Sequence, residues 1–289
     1  MNSGWCFGAR LERAVMAVSD VTPELRRWIV EQTALGHTPG QLLTSMLASG
    51  WAAPAAGRVL EEVLCSPAVE RPHLADLPPA VPVPELTSSA HAAQVVSRMA
   101  KPCVIVLSGL LSHDECDELV ALARPRLSRS ETVRLSTGSS EVHQARTSEG
   151  MFFGREENPL CARIEQRIAE MFNWPIENGE GLQVLHYSPG AEYKPHYDYF
   201  DPEQPGTVPV LKRGGQRVAS LVMYLNTPGK GGGTVFPDVE FEVAPIKGNA
   251  VFFSYDRPHP ETRTLHGGSP VIEGEKWVAT KWLRERRFD

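Results

Sequence analysis

No stretch of this sequence stays apolar for the roughly 18 residues that a membrane-spanning helix needs, so no role within a membrane is expected. The opening "MNSGWCFGARLERAVMAVSD" carries Arg10, Glu12 and Arg13 and lacks an apolar stretch of signal-peptide length, which makes a cytoplasmic location the expectation. Residues 1–21 are expected to be a disordered N-terminus, with Met16 opening a more usual-looking start. Cysteine is scarce: Cys6, Cys65, Cys103, Cys116 and Cys161 are odd in number, widely spaced and include no Cys-x-x-Cys. That pattern excludes a disulfide framework or a zinc finger and reads as reduced, mostly buried thiols. A surplus of positive charge is also missing, with 29 Lys and Arg against 35 Asp and Glu and a net charge of −6. There is accordingly no electrostatic case for nucleic acid or an anionic membrane surface as partner. The one basic cluster, "KWLRERRF" at 281–288, is short and reads as a solvated end. No internal repeat is present, and no low-complexity tract beyond one proline-rich segment.

What the chain does contain is ordinary globular material, 42% hydrophobic and 22% charged, long enough at 289 residues for one large domain and one small one. Residues 22–65 read as three short amphipathic helices. Thr22-Pro23 starts the first, ahead of Leu25, Trp28 and Ile29. Thr38 and Gln41 have capping-box spacing before Leu42, Leu43, Met46 and Leu47, and Gly50 ends that helix. Val59, Leu60, Val63 and Leu64 mark the third. This bundle weakly resembles ubiquitin-associated three-helix modules and could bind a protein partner, or simply pack as an appendage. "SPAVERPHLADLPPAVPVPE" is dense in proline, so residues 66–87 are predicted to be an extended linker before a main domain at 88–289.

In the main domain "CVIVLSGLL" (103–111) predicts a buried strand, Ser112 and Glu115 a capping box, and Asn158-Pro159 a helix with Ile164, Ile168 and Phe172 on its core face. Short strands are predicted at 182–188, 193–199, 217–226, 240–244, 249–255, 262–266 and 277–284. The fold class is mainly β with flanking helices, α+β, as a β-sandwich or jelly-roll.

Within "LHYSPGAEYKPHYDYF" (185–200), His196 and Asp198 are two residues apart. In a strand they would share a face and could supply two members of a two-His-one-carboxylate metal set, the arrangement that suits Fe(II) with open positions. A hydrogen-bonded surface pair is the plainer reading of that dipeptide spacing taken alone. A third ligand could be His259, between prolines, or His266 in "TRTLHGGSPV". Iron of this kind needs a co-substrate that brings electrons, and the far carboxylate of a dicarboxylic oxo acid would need a buried cation. Lys276, at the head of the apolar "KWVATKW", is placed to be one, since a lysine there is costly unless paired.

With these residues in view, the sequence resembles the prolyl 4-hydroxylases among the Fe(II)/2-oxoglutarate-dependent dioxygenases. The matching blocks run over about residues 95–287: "ARTSEGMFF" (145–153), "ENGEGLQVLHYSPGAEYKPHYDYF" (177–200), "RGGQRVASLVMYLN" (213–226), "GGTVFPD" (232–238), "PIKGNAVFF" (245–253) and "LHGGSPVIEGEKWVATKWLRE" (265–285). The resemblance implies a double-stranded β-helix (jelly-roll) catalytic core. It implies His196, Asp198 and His266 as iron ligands and Lys276 as the partner of the distal carboxylate of 2-oxoglutarate. Tyr187, Thr234 and Thr280 become further co-substrate contacts, and Tyr193, Arg217, Trp282 and Arg146 substrate-side residues. It also implies Fe(II), 2-oxoglutarate and O2 as requirements, with ascorbate as an accessory.

The implied reaction is hydroxylation of an unactivated C–H, a prolyl C4 in a peptide or protein, with release of succinate and CO2. Two departures stand out: "KGGGT" lacks the family's usual acidic residue before Thr234, and Arg284 stands where some members carry a His near substrate. The alternatives are the same cofactor chemistry on a free amino acid or other small molecule, and a non-catalytic binding module on this fold. Loops around 135–150 and 200–216 read as candidate lids, while His186, His143 and His259 are left outside the site.

Overall fold

The computed structural model describes residues 28–29, 32–33, 37–48, 51–65, 80–86, 93–129, 132–133, 140–141, 148–202, 204 and 206–289. The chain divides into two compact units, Met1–Leu77 and Pro78–Asp289. In the first, the helices α1 (Pro39–Ala48) and α2 (Ala53–Cys65) are described. Thr38 starts α1 as its sequence predicts: the backbone N–H of Gln41 donates to Thr38 Oγ1 at 3.3 Å, and the Thr38 N–H donates to Gln41 Oε1 at 2.8 Å. Ile29, Leu42, Met46, Ala56, Val59, Leu60 and Val63 form a small core. Leu47, assigned above to the apolar face, is instead exposed. The predicted first helix falls mostly outside the described residues, as do residues 1–21 and Arg146.

The second unit begins earlier than predicted. Within the expected linker, the Val81 N–H donates to the Asp256 carbonyl at 2.7 Å, and Val81, Val83 and Leu86 pack against the main core. The prolines hold this segment extended, which lets its alternate apolar side chains seat on the domain instead of bridging free space.

Among the described residues, sixteen strands follow in order. They are β1 (Gln94–Met99), β2 (Cys103–Ser108), β3 (Ser128–Arg129), β4 (Thr132–Val133), β5 (Ser140–Glu141), β6 (Glu149–Phe152), β7 (Gln183–Tyr187) and β8 (Tyr193–His196), then β9 (Arg217–Tyr224), β10 (Lys230–Gly231), β11 (Thr234–Phe236), β12 (Phe241–Val243), β13 (Ala250–Ser254), β14 (His266–Gly268), β15 (Val271–Glu273) and β16 (Lys276–Arg284). An eight-stranded sheet in the order β1-β2-β13-β9-β16-β7-β6-β3 faces a four-stranded sheet, β12-β11-β14-β8. All described pairings within the two sheets are antiparallel. This is the jelly-roll predicted from the strand spacing.

Alternation along the central strand β16 shows why the layers form. Lys276, Val278, Thr280 and Trp282 face a pocket between the sheets, while Trp277, Ala279 and Leu283 enter the core on the other face. That outer core is covered by α3 (His113–Ala123) and α4 (Pro159–Phe172), through Cys116, Leu119, Ile164, Ile168 and Phe172. Phe172 stacks on Phe252 of β13 with 4.1 Å between ring centroids. Full burial of each such side chain contributes about 1.5–3 kcal/mol.

Both helices start where local chemistry directs. Ser112 and Glu115 form a reciprocal capping box, and Asn158 Oδ1 accepts from the Cys161 N–H at 2.9 Å. Lys281, on the outer face of β16, forms a buried ion pair with Glu165 of α4. The segment 200–216 includes the short helix α5 (Thr207–Lys212). It is tied at its base, where the Gln216 amide donates to the Phe200 carbonyl and accepts from the Phe200 N–H, both at 2.7 Å.

Candidate active site

The pocket between the sheets is lined by Gln183, Leu185, Tyr187, Tyr193, His196, Asp198, Val222, Thr234, His266, Gly267, Gly268, Lys276, Val278, Thr280 and Trp282. His196 ends β8 and His266 begins β14, and the two are direct cross-strand partners. Their approach depends on Gly267: a Cβ there would lie 2.8 Å from the Tyr193 carbonyl oxygen, too close for the strands to pair. Asp198 arrives differently from its prediction. β8 stops at His196, so Asp198 is carried round by the bend that follows, not by strand alternation. The predicted strand 262–266 is likewise replaced by a 3-10 turn at Pro260–Thr262, and His266 opens a strand instead of closing one. Strand β11, which carries Thr234, was not among the predicted strands; it is only three residues long.

His196 Nε2 lies 3.5 Å from Asp198 Oδ1, and His266 Nε2 lies 3.5 Å from Asp198 Oδ2. One ligand atom from each residue lies within 4.8 Å of the others. Both imidazoles point the same way for the same reason. Nδ1 of His196 is 2.9 Å from the Lys194 carbonyl, and Nδ1 of His266 is 2.9 Å from the Thr264 carbonyl. A carbonyl accepts only, so each Nδ1 carries the proton and each Nε2 lone pair faces the cluster.

Burial lowers the His266 pKa to about 4, against the pull of Asp198, so that imidazole is neutral at pH 7. Burial opposes the Asp198 carboxylate, but His266, His196 and Arg217 hold its carboxyl well below the usual range. The Ser220 hydroxyl donates to Asp198 Oδ2 at 2.5 Å and also meets the Tyr255 hydroxyl at 3.0 Å. Two imidazoles and one ionised carboxylate fit a divalent first-row metal, with Ser220 orienting the carboxylate.

Lys276, only 4% exposed, is the second anomaly. Among the described residues it enters no ion pair; its ammonium sits 5.4 Å from the centroid of the Tyr187 ring, its cross-strand partner. Burial lowers its pKa to about 8, partly offset by the Glu242 carboxylate. Thr234 lines the same end, and its Oγ1 accepts from the Tyr224 hydroxyl at 2.9 Å, leaving the threonine O–H able to donate. A buried, underpartnered cation next to a hydroxyl donor is suited to a carboxylate.

Toward the mouth, Tyr193 stacks on His196 with ring centroids 3.8 Å apart, and Thr280 and Trp282 continue the wall. Arg217, predicted on the substrate side, is not among the lining residues. Its guanidinium makes a two-bond pair with Glu180 at 2.7 and 2.9 Å and lies 3.8 Å from the Trp282 ring centroid. Arg284 completes that network, donating to Glu180 at 2.8 Å and to the carbonyls of Val210 and Arg213. Ser220, Tyr224, Glu180 and Gln183 were missed from the sequence, because each acts across strands far apart in the chain. His186 lies outside the pocket, between Glu149 and Glu275, and the His259 side chain accepts from the Glu261 N–H in the turn at 260–262.

A jelly-roll with a two-His-one-carboxylate cluster inside it and a buried lysine beside it defines a non-haem iron oxygenase architecture. A family model described as the 2OG-Fe(II) oxygenase superfamily matches residues 182–284. Probable prolyl 4-hydroxylase 4 of Arabidopsis thaliana is 39% identical, over 66% of this chain and 70% of the relative. Prolyl 4-hydroxylase 1 of Arabidopsis thaliana is 44% identical, over 64% and 70%. A solved structure of a viral collagen prolyl hydroxylase from Paramecium Bursaria Chlorella virus-1, in its 2OG complex, is 30% identical, over 63% of this chain and 95% of that one, with a TM-score of 0.49. The chain belongs to the prolyl 4-hydroxylase family of the Fe(II)/2-oxoglutarate-dependent dioxygenases.

Proposed function

We propose that the chain hydroxylates a prolyl residue at C4 in a peptide or protein. The observation that carries the reading is the pairing of the His196–Asp198–His266 cluster with Lys276, a buried ammonium in no ion pair among the described residues, in one pocket. His196, Asp198 and His266 would hold Fe(II), and Lys276, Tyr187, Thr234 and Thr280 would hold 2-oxoglutarate. Bound there, Fe(II) with 2-oxoglutarate and O2 supplies the oxidising power and the oxygen atom, with succinate and CO2 as co-products.

This chain's residues do the rest. The Nδ1–H bonds of the two histidines fix the direction of their lone pairs. Ser220 holds Asp198. Lys276, protonated below pH 8, meets the far carboxylate, and Thr234 donates to it. Leu185, Val222 and Val278 give the pocket apolar walls that limit water. Tyr193 and Trp282 form the substrate side, and Arg217 supports Trp282 from behind.

The test is succinate release by purified protein with Fe(II), 2-oxoglutarate and O2, with ascorbate as the proposed auxiliary, read together with peptide mass. Peptide-dependent succinate with one oxygen atom gained on proline supports the reading. Succinate with no peptide modified overturns the prolyl assignment. The unit Met1–Leu77 is proposed to engage a protein partner; equal activity on a protein substrate after deleting residues 1–77 would refute that role.

A further inference from the structure

Gly233, directly before Thr234, is where the sequence lacks an acidic side chain, and the space beside it is filled from another strand. A Cβ on Gly233 would overlap Glu242 Oε1 and lie 2.7 Å from the Glu242 carboxyl carbon. Glu242 belongs to β12 and pairs with Val235 of β11. Its carboxylate folds back against Gly233 and is held there. The Ser269 hydroxyl donates to Glu242 Oε1 at 3.1 Å, and the Ser269 N–H donates to the Gly233 carbonyl at 2.9 Å.

The next glycine in the run meets Lys276. A Cβ on Gly232 would lie 3.2 Å from Lys276 Cδ. One glycine therefore packs on the lysine stem and its neighbour on the carboxylate. The two charges form no direct pair, but they flank consecutive residues and attract across them. The Glu242 carboxylate works against burial to raise the Lys276 pKa. Glu242 is exposed, so solvent screens part of that attraction.

The other ionisable groups around Lys276 are turned elsewhere. Tyr187 of β7 offers its ring face. The Tyr224 hydroxyl of β9 donates to Thr234, and Tyr193 of β8 stacks on His196. His266 of β14 faces Asp198, and Glu275 faces His186. Lys230 and Glu273 of the β10–β15 hairpin are exposed.

We propose that Glu242 is a positioning residue for the co-substrate cation: its carboxylate, seated at Gly233, keeps Lys276 protonated for the far carboxylate of 2-oxoglutarate. The inference deepens the proposed function and rests on its assignment of Lys276.

The experiment follows the lysine itself. The Lys276 Cε resonance of 13C-lysine protein, loaded with diamagnetic Zn(II) and assigned by its loss in Lys276→Met, is titrated without co-substrate from pH 6 to pH 10. Affinity of Mn(II)-loaded protein for 2-oxoglutarate is measured by calorimetry from pH 6 to pH 9. The wild-type midpoint is expected near 8. Glu242→Gln should lower it by roughly half a pH unit, the effect of losing one partly screened charge. Its 2-oxoglutarate affinity should then fall about threefold further than wild type between pH 6 and pH 9. At pH 6 it should bind at least as tightly as wild type, because repulsion of the incoming carboxylate is gone. Gly233→Ala keeps the charge but displaces it, and should shift the midpoint in the same direction by less. An unmoved midpoint in Glu242→Gln overturns the proposal, and an unmoved one in Gly233→Ala overturns the seat it requires. Affinity lost equally at every pH marks a merely structural role and also overturns it. A midpoint that moves as expected while 2-oxoglutarate affinity ignores pH removes the assignment of Lys276 to the co-substrate, which is a distinct result.

Discussion

Raising the pH should weaken 2-oxoglutarate binding well before it unfolds the protein, and Lys276 is the reason. In the free pocket burial lowers its pKa to about 8. The co-substrate's far carboxylate binds the protonated form, and binding in turn favours that form. The apparent affinity therefore follows the protonated fraction of the free protein. That fraction is about nine-tenths at pH 7 and about one-tenth at pH 9, so affinity should fall about tenfold, or ~1.4 kcal/mol. The sign is set by the direction of the shift: an ordinary lysine would give a flat profile over the same range.

Lys276→Met removes the cation and leaves the bound carboxylate unpaired, which should weaken binding by roughly 3–5 kcal/mol, a hundredfold or more. It should also flatten the pH profile. The assay is calorimetric titration of 2-oxoglutarate into Mn(II)-loaded protein from pH 7 to pH 9. A wild-type affinity that does not change over this range, or a Lys276→Met variant that retains the slope, would refute the assignment of Lys276 to the carboxylate.

Other expectations follow from the same geometry. His196→Ala should abolish succinate production and lower metal affinity, read by turnover and by metal titration, since it removes one of three ligands. Ser220→Ala should cost about 10–100-fold in metal affinity without unfolding the protein, because it frees the Asp198 carboxylate from its donor; unchanged metal affinity would show that Asp198 needs no such support. Lys281→Met alone should destabilise the fold by about 3–5 kcal/mol in urea unfolding, as it strands the buried Glu165 carboxylate. The double change Lys281→Met with Glu165→Leu should recover most of that loss. Ser112→Ala should cost about 1 kcal/mol in the same assay through loss of the α3 cap.

Much of this was legible in the linear chain because the relevant physics is local. The caps at Thr38, Ser112 and Asn158 depend on groups three residues apart, and the structure places their bonds where the spacing predicts. Alternation along 277–284 fixes one face for the pocket and one for the core, whatever the strand's neighbours. The number and spacing of short strands point to a jelly-roll, and the blocks around His196 and His266 carry the family resemblance.

What the chain alone could not decide is everything that depends on closure. His266 meets His196 only because β14 pairs with β8 across a glycine that tolerates close approach. Asp198 reaches the cluster by a bend and not by strand geometry, so two residues that the structure does bring together were paired in the sequence on an incorrect local shape. Arg217 looked like a substrate contact, but the fold brings it to Glu180 and Arg284, whose partnership spans 104 residues of chain. The residues of 80–86 read as linker by composition, yet they seat on the domain because apolar grooves exist there only after folding. Propensity and periodicity act over a few residues; ligand convergence, burial and the shift of a lysine's pKa depend on which distant strands become neighbours.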